Sequence, residues 1–397
     1  MWSAAVACTV TGCRGLALML QAILNGHVFD GESLHKHKAV LIEDEFIVAM
    51  VDRANIPAAV GDTYDLQGGT LIPGFIDLQV NGGGGVLFTA APTVGSLRHI
   101  GMAHRQYGTT GFLPTLITTS FDVMREAISA VAQAISQGVP GVLGLHLEGP
   151  FLSPDRSGVH DAAQFCQLDQ EGFDILTSLG SGVTLVTLAP ELASVEMIRK
   201  LVAKGVIVCG GHSDASYAQT RDALKQGLSG FTHLYNAMTS LQSREPGMVG
   251  AALEDKDSWF GIIADGQHVH PAAFSIALAA KNRGGALLVT DAMPTVGSSD
   301  KVFLLDGKPI VAAQGRVTNA AGTLAGSDLD MLSAVNNAAQ FAQLEWFEAV
   351  RMASLYPARA LGLGQELGAI RPGFRANMLA LDAERRIRCS WINGARA

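Results

Sequence analysis

Cysteine is sparse and unpatterned in this chain. Its five cysteines, Cys8, Cys13, Cys166, Cys209 and Cys389, are odd in number and never fall in a CxxC or CxxH spacing. That argues against a disulfide framework or a cysteine-based zinc or redox motif, and for reduced thiols in the cytosol. Long apolar runs are missing as well. The body of the chain has no stretch of about 18 uncharged apolar residues, the length a membrane helix needs. Blocks of one charge are also absent, since 28 basic and 36 acidic residues are dispersed for a formal charge of −8. No basic face is therefore offered to nucleic acid or anionic lipid, and a small metabolite is the better partner class.

The first twenty residues, MWSAAVACTVTGCRGLALML, look faintly like a secretory leader, but Arg14 interrupts the run and no A-x-A site follows. Met19 stands at the point where folded-domain patterning begins. Residues 1–19 are expected as a disordered extension.

What is present is apolar: 48% of the 397 residues, enough for a sizeable core. Between Ile72 and Pro294, short apolar runs alternate with polar breaks and helical patterns. Eight such runs occur, at 70–80, 111–119, 141–149, 183–191, 206–214, 230–238, 259–269 and 286–294. Several are apolar on both faces, as parallel strands between a core and covering helices must be. The clearest helix is 121–137, with Phe121, Met124, Ile128, Val131 and Ile135 at steps of three and four behind Ser120 as N-cap. No GxGxxG turn opens the first unit, and polar residues gather at strand ends, so a (β/α)8 TIM-type barrel is favoured over a doubly wound sheet. The barrel is expected over 73–364. Short β-like pieces at 20–72 and 365–397 are expected to join as a small β-sandwich built from both termini. A hairpin near 300–322, turning at Asp306-Gly307, is expected to cover the barrel mouth.

Strand C-termini in a parallel barrel converge on one mouth, which gives a strand-end residue more weight than the same residue elsewhere. Gln79 and Asn81 end the first run, Glu148 the third, Glu191 the fourth, His212 the fifth, His233 the sixth, His268 the seventh and Asp291 the eighth. Glu148, His212 and His233 offer one carboxylate and two imidazoles, a set suited to a catalytic Zn²⁺ with a position open for water. Any one of them alone is more often a satisfied core residue, but three at strand ends point to a metal. Asp291 is the candidate general acid/base, against a plain helix-capping or loop aspartate. His160, in the loop after the third run, is a candidate donor to a substrate carbonyl or hydroxyl, though a surface histidine is locally commoner. His268 is preferred to His270 for its place nearer the strand end, and either can cap the next helix. No Walker loop or arginine cluster exists. Asn236, Ala237 and Arg244 stand where a phosphate can be bound, but on spacing alone this signal is weak.

The segments PGFIDLQVNGGGG, LHLEGPF, GGHSDA, THLYNAM, REPG, ADGQHVHP, VTDAM and GTLAGS occur in this order. Together they resemble the N-acetylglucosamine-6-phosphate deacetylases of the amidohydrolase superfamily, over about residues 20–395. The resemblance implies the barrel with its small sandwich, a homodimer, and hydrolysis of N-acetylglucosamine 6-phosphate to glucosamine 6-phosphate and acetate. It implies Glu148, His212 and His233 as metal ligands, Asp291 as acid/base and His160 at the sugar and acetyl group. Substrate and phosphate contacts fall to Asn236, Ala237, Arg244, His268 and the Leu324, Ala325 and Gly326 of GTLAGS, with Arg244 reaching the partner subunit's site. The implied cofactor is one divalent ion, Zn²⁺ first, with Fe²⁺, Co²⁺ or Mn²⁺ as alternatives.

One departure from the wider superfamily stands out. Its usual His-x-His after the first strand is here Gln79-Val80-Asn81, and amides are poor ligands for a transition metal. A second metal position at Gln79 and Asn81 is expected to be weak at most. Three rivals remain at this point: the galactosamine epimer as substrate, an amidohydrolase acting on cyclic amides or N-acyl amino acids, and a non-catalytic sugar-phosphate sensor.

Overall fold

Each of the eight apolar runs carries one strand of a parallel sheet. The computed structural model describes residues 20–397; the extension expected at 1–19 lies outside the described residues. The strands are β1 (Phe75–Val80), β2 (Thr109–Ile117), β3 (Gly144–Glu148), β4 (Val183–Leu188), β5 (Ile207–Gly210), β6 (Gly230–Phe231), β7 (Trp259–Ile263) and β8 (Ala286–Val289), paired in that order. Their residues are almost wholly buried, β1, β2 and β3 without exception, because covering helices face one side and the barrel interior the other. The register Ile117↔Glu148 and Glu148↔Thr187 keeps the C-terminal ends of β2, β3 and β4 level, so their side chains meet at one mouth.

Closure between β8 and β1 is thin in backbone terms, a single bridge between Val80 and Ala292. The buried Asp77 carboxylate fills the gap. It accepts from the N–H groups of Gln79 and Thr290, each at 3.2 Å, and from the Thr290 hydroxyl. Burial nonetheless pushes its pKa up to about 7.

The helix expected at 121–137 spans Phe121–Ser136, and the Ser120 hydroxyl accepts from the Val123 N–H at its start. It buries Met124, Ala127, Ile128, Val131 and Ala134. No helix among the described residues is long and apolar enough to cross a membrane.

Both chain ends build the second unit. One sheet joins Phe46–Asp52, Lys38–Glu43, Gln21–Leu24 and Asp62–Asp65; the other joins Ala395–Arg396, Ile387–Ile392, Met378–Leu381, Thr70–Pro73, His27–Phe29 and Leu34–Lys36. Ile23, Val40, Ile42, Ile47, Leu71, Met378 and Trp391 pack between them as a core separate from the barrel's. The expected mouth hairpin is larger than its sequence signal, a three-stranded meander of Val302–Leu305, Lys308–Ala313 and Arg316–Thr318. Its inner face, Leu305, Ile310, Ala312 and Val317, packs with Leu87, Ile117, Met293 and Ala325 in a third small core over the barrel mouth.

Candidate active site

Glu148 ends β3, and the chain must turn sharply behind it. Gly149 has φ +97°, and a Cβ there would lie 2.2 Å from the Thr118 hydroxyl, so only glycine permits the turn. His212, His233 and Asp291 follow β5, β6 and β8 and also turn the chain left-handed, with φ of 47°, 31° and 52°. Left-handed backbone costs a non-glycine residue on the order of 1 kcal/mol. Three such residues at the ends of β5, β6 and β8 mark a place where side-chain position outweighs backbone comfort.

The three expected ligands converge. One ligand atom from each of Glu148, His212 and His233 lies within 4.8 Å of the others, and all three residues are buried. The two Nε2 atoms are 3.1 Å apart, and Glu148 Oε1 is 3.3 Å from that of His212 and 3.0 Å from that of His233. His212 Nδ1 lies 2.8 Å from the Arg156 carbonyl, which can only accept, so the proton sits on Nδ1 and Nε2 turns a lone pair inward. Two inward imidazoles and a carboxylate with its partners so disposed are a donor set for a divalent cation, and the residues fit one. Burial alone would raise the Glu148 carboxyl, but the imidazoles of His212 and His233 beside it hold it well below the usual range. The same carboxylate holds His233 above its ordinary pKa although burial opposes the charge.

Asp291 lies beside this group. Its Oδ1 accepts from Gln79 Nε2 at 3.0 Å and Asn81 Nδ2 at 2.7 Å, leaving Oδ2 for a proton. Gln79 Nε2 also lies 3.2 and 3.1 Å from the two Glu148 oxygens. As arranged, both amides serve as donors to carboxylates; a weak cation position there would need them turned to present oxygen. Burial, and then the negative charge of Glu148, push Asp291 up to about 6. A group near that value can both take and return a proton close to neutrality.

His160 is fixed by Thr118, whose hydroxyl lies 2.8 Å from Nδ1 and whose backbone N–H donates to the same nitrogen at 3.4 Å. A backbone N–H cannot accept, so Nδ1 is the acceptor and Nε2–H is the donor left over. Burial and the neighbouring His212 lower His160 to about 3, which keeps it neutral.

A cavity of about 400 Å³ opens above these groups, bordered by Asn81, Glu148, His160, His212, His233, Asn236, Ala237, His268, Asp291, Leu324 and Gly326. His268 is held by Asp265, which accepts from its Nδ1 at 2.6 Å and from its backbone N–H at 2.8 Å. Ala325 does not line the cavity. It is buried, and its N–H donates to the Val317 carbonyl at 2.9 Å, tying GTLAGS to the meander. Arg244 is exposed and outside the cavity of the single chain. Glu191 is not at the cavity either; it accepts from the Ser213 hydroxyl and Asp214 N–H and so braces the turn that carries His212. His270 caps the helix Pro271–Ala280 by accepting from Ala272 N–H.

Sequence reasoning missed Arg316, Val159, Ile117, Met293 and Thr323 at the cavity. It also missed Thr118 and Arg156, which orient His160 and His212. Arg156 and Val159 share the loop of His160, and Met293 and Thr323 lie within VTDAM and GTLAGS, whereas the others carried no local signal.

A (β/α)8 barrel with a buried carboxylate–imidazole metal set and a proton-accepting aspartate at its C-terminal mouth has the layout of a metal-dependent hydrolase. The Amidohydrolase family matches residues 70–396. A Shewanella sp. N-acetylgalactosamine-6-phosphate deacetylase is 44% identical over 91% of this chain and 92% of its own. A Haemophilus influenzae N-acetylglucosamine-6-phosphate deacetylase is 34% identical over 95% and 99%. The crystal structure of N-acetylglucosamine-6-phosphate deacetylase from Pasteurella multocida superposes with a TM-score of 0.92 at 33% identity, covering 96% of this chain and 100% of that one. The chain belongs to the amidohydrolase family and is a hydrolase acting on an amide bond.

Proposed function

We propose that this chain hydrolyses N-acetyl-D-glucosamine 6-phosphate to D-glucosamine 6-phosphate and acetate, using one divalent cation, zinc first, held by Glu148, His212 and His233. The convergence of those three ligands beside Asp291 at a sugar-sized cavity carries the reading. When bound, the cation supplies Lewis acidity, polarising the acetyl carbonyl and easing deprotonation of water. Asp291 takes the proton of the attacking water on Oδ2 while Gln79 and Asn81 hold Oδ1. His160 donates from Nε2 to the oxyanion that forms on the acetyl carbon. Protonated Asp291 then returns the proton to the nitrogen, which departs as the amine, so one carboxyl group serves both halves. Asn236, Ala237, His268, Leu324 and Gly326 position the sugar phosphate. The enzyme is read as a cytosolic homodimer in which Arg244, exposed in the single chain, reaches the partner's site.

The galactosamine epimer is the second reading, favoured by the name of the 44% identical Shewanella relative. Acetate release from both 6-phosphates, with and without chelator, tests both. Faster turnover of the glucosamine compound that disappears on chelation is expected. Faster turnover of the other epimer reverses the assignment, and release from neither removes it.

A further inference from the structure

Among the described residues that border the cavity, Arg316 is the only arginine or lysine. The other ionisable groups around it are the two carboxylates of Glu148 and Asp291 and four histidines. A substrate carrying a phosphate brings up to two negative charges into this space, and the single chain offers one permanent cation to meet them.

Arg316 is also free. Arg125, Arg156, Arg221, Arg283, Arg351, Arg375 and Arg386 each have a carboxylate partner within 3.0 Å. The Arg316 side chain makes no hydrogen bond or ion pair with any described residue and is exposed. An unpaired arginine on open surface is ordinary, but this one stands on a backbone fixed in several ways. It pairs with Ala313 across a two-residue turn, Gln314-Gly315, whose φ values of 52° and 75° are those of a tight type I′ hairpin. The next residue, Val317, is fully buried, and its carbonyl accepts from Ala325 N–H. Thr318 bridges Leu324, itself at the cavity. The guanidinium thus hangs from a rigid strand at the mouth, with its donors unspent.

Resting on the deacetylase reading above, we infer that Arg316 binds the phosphate of the substrate from within the same chain. The planar guanidinium meets two phosphate oxygens at once, which an ammonium cannot do. The phosphate site then has an own-chain cation that does not depend on Arg244 crossing from a partner.

The test uses the metal-loaded enzyme with Arg316→Gln and Arg316→Lys, and compares N-acetylglucosamine 6-phosphate with unphosphorylated N-acetylglucosamine. A charge-assisted bond of the usual strength corresponds to roughly 10–100-fold in affinity. The preference in kcat/KM for the phosphorylated substrate is expected to shrink by that factor in Arg316→Gln, mainly through KM, with Arg316→Lys between it and the parent. An unchanged preference, or an equal loss on both sugars, overturns the inference. Calorimetric binding of inorganic phosphate to parent and Arg316→Gln protein reads the same contact without turnover. Weaker phosphate binding in the variant supports it and equal binding overturns it, even if the parent releases acetate from neither epimer, an outcome that would instead sink the deacetylase reading.

Discussion

Asp291 combines three properties that usually exclude one another: it is buried, it sits near the carboxylate of Glu148, and it occupies a left-handed backbone position. Burial and the nearby Glu148 charge are each unfavourable for a charged aspartate, and together they put a proton acceptor at about 6 where an ordinary aspartate would be a weaker base. Asp291→Asn keeps the shape and removes the base, so turnover should fall by roughly 10²–10⁴-fold. The metal content of the purified variant, read by elemental analysis, should stay that of the parent. Near-parental turnover contradicts the acid/base role. The pH dependence follows with its sign. The base form is lost as Asp291 protonates, so kcat/KM should decline on the acid side through about pH 6, and lower still once a bound cation adds its positive charge. A parental acid limb centred above pH 7 would assign the titration to another group.

At the scale of elements, legibility divides by what a property depends on. The barrel strands were readable because burial on both faces writes itself into consecutive apolar residues, as in ALLV of β8. The convergence of Glu148, His212 and His233 was readable because a barrel sends strand ends to one place. β6 shows the limit. The run at 230–238 yields only Gly230–Phe231 as strand, since the chain turns left-handed at His233, Tyr235 and Ala237 to aim the site. Arg316 and Thr118 could not be read, because only the fold brings them to the site and no local pattern records that, whereas Arg156 was marked by no more than sharing the loop of His160. The meander's third strand, Arg316–Thr318, is too short to announce itself. That meander rests on its own small core, which suggests a separable test. Val317→Ala removes buried methyl groups and should cost about 1–3 kcal/mol of local packing. Its expected effect is a raised KM with little change in the main thermal transition, whereas Val208→Ala in the barrel core, equally buried, should lower that transition. Equal thermal shifts for the two would show that the meander melts with the barrel and is not a semi-independent cover.

Across the whole molecule, the barrel must close where its last strand meets its first, and it does so with a side chain. β8 and β1 share one backbone bridge, which leaves the buried N–H groups of Gln79 and Thr290 in need of an acceptor. Asp77 supplies the acceptor, but a buried carboxylate is a costly one, and its pKa rises to about 7. In the unfolded chain the same group titrates near ~3.9. Between roughly pH 4 and 7 the folded protein therefore binds more protons at Asp77 than the unfolded chain does. The contribution of this group is fully stabilising below the unfolded value and is lost as pH rises through about 7, with a slope of up to ~1.4 kcal/mol per pH unit. Asp77→Asn retains an acceptor oxygen for the two N–H groups while removing the ionisation. Urea unfolding of metal-loaded parent and variant at several values from pH 5 to 8 should show the variant gaining on the parent as pH rises. Parallel profiles would mean that Asp77 is ionised throughout and that the seam tolerates its charge. A growing gap would show that the closure of the barrel, one layer beneath Asp291, rests on a protonated carboxyl group.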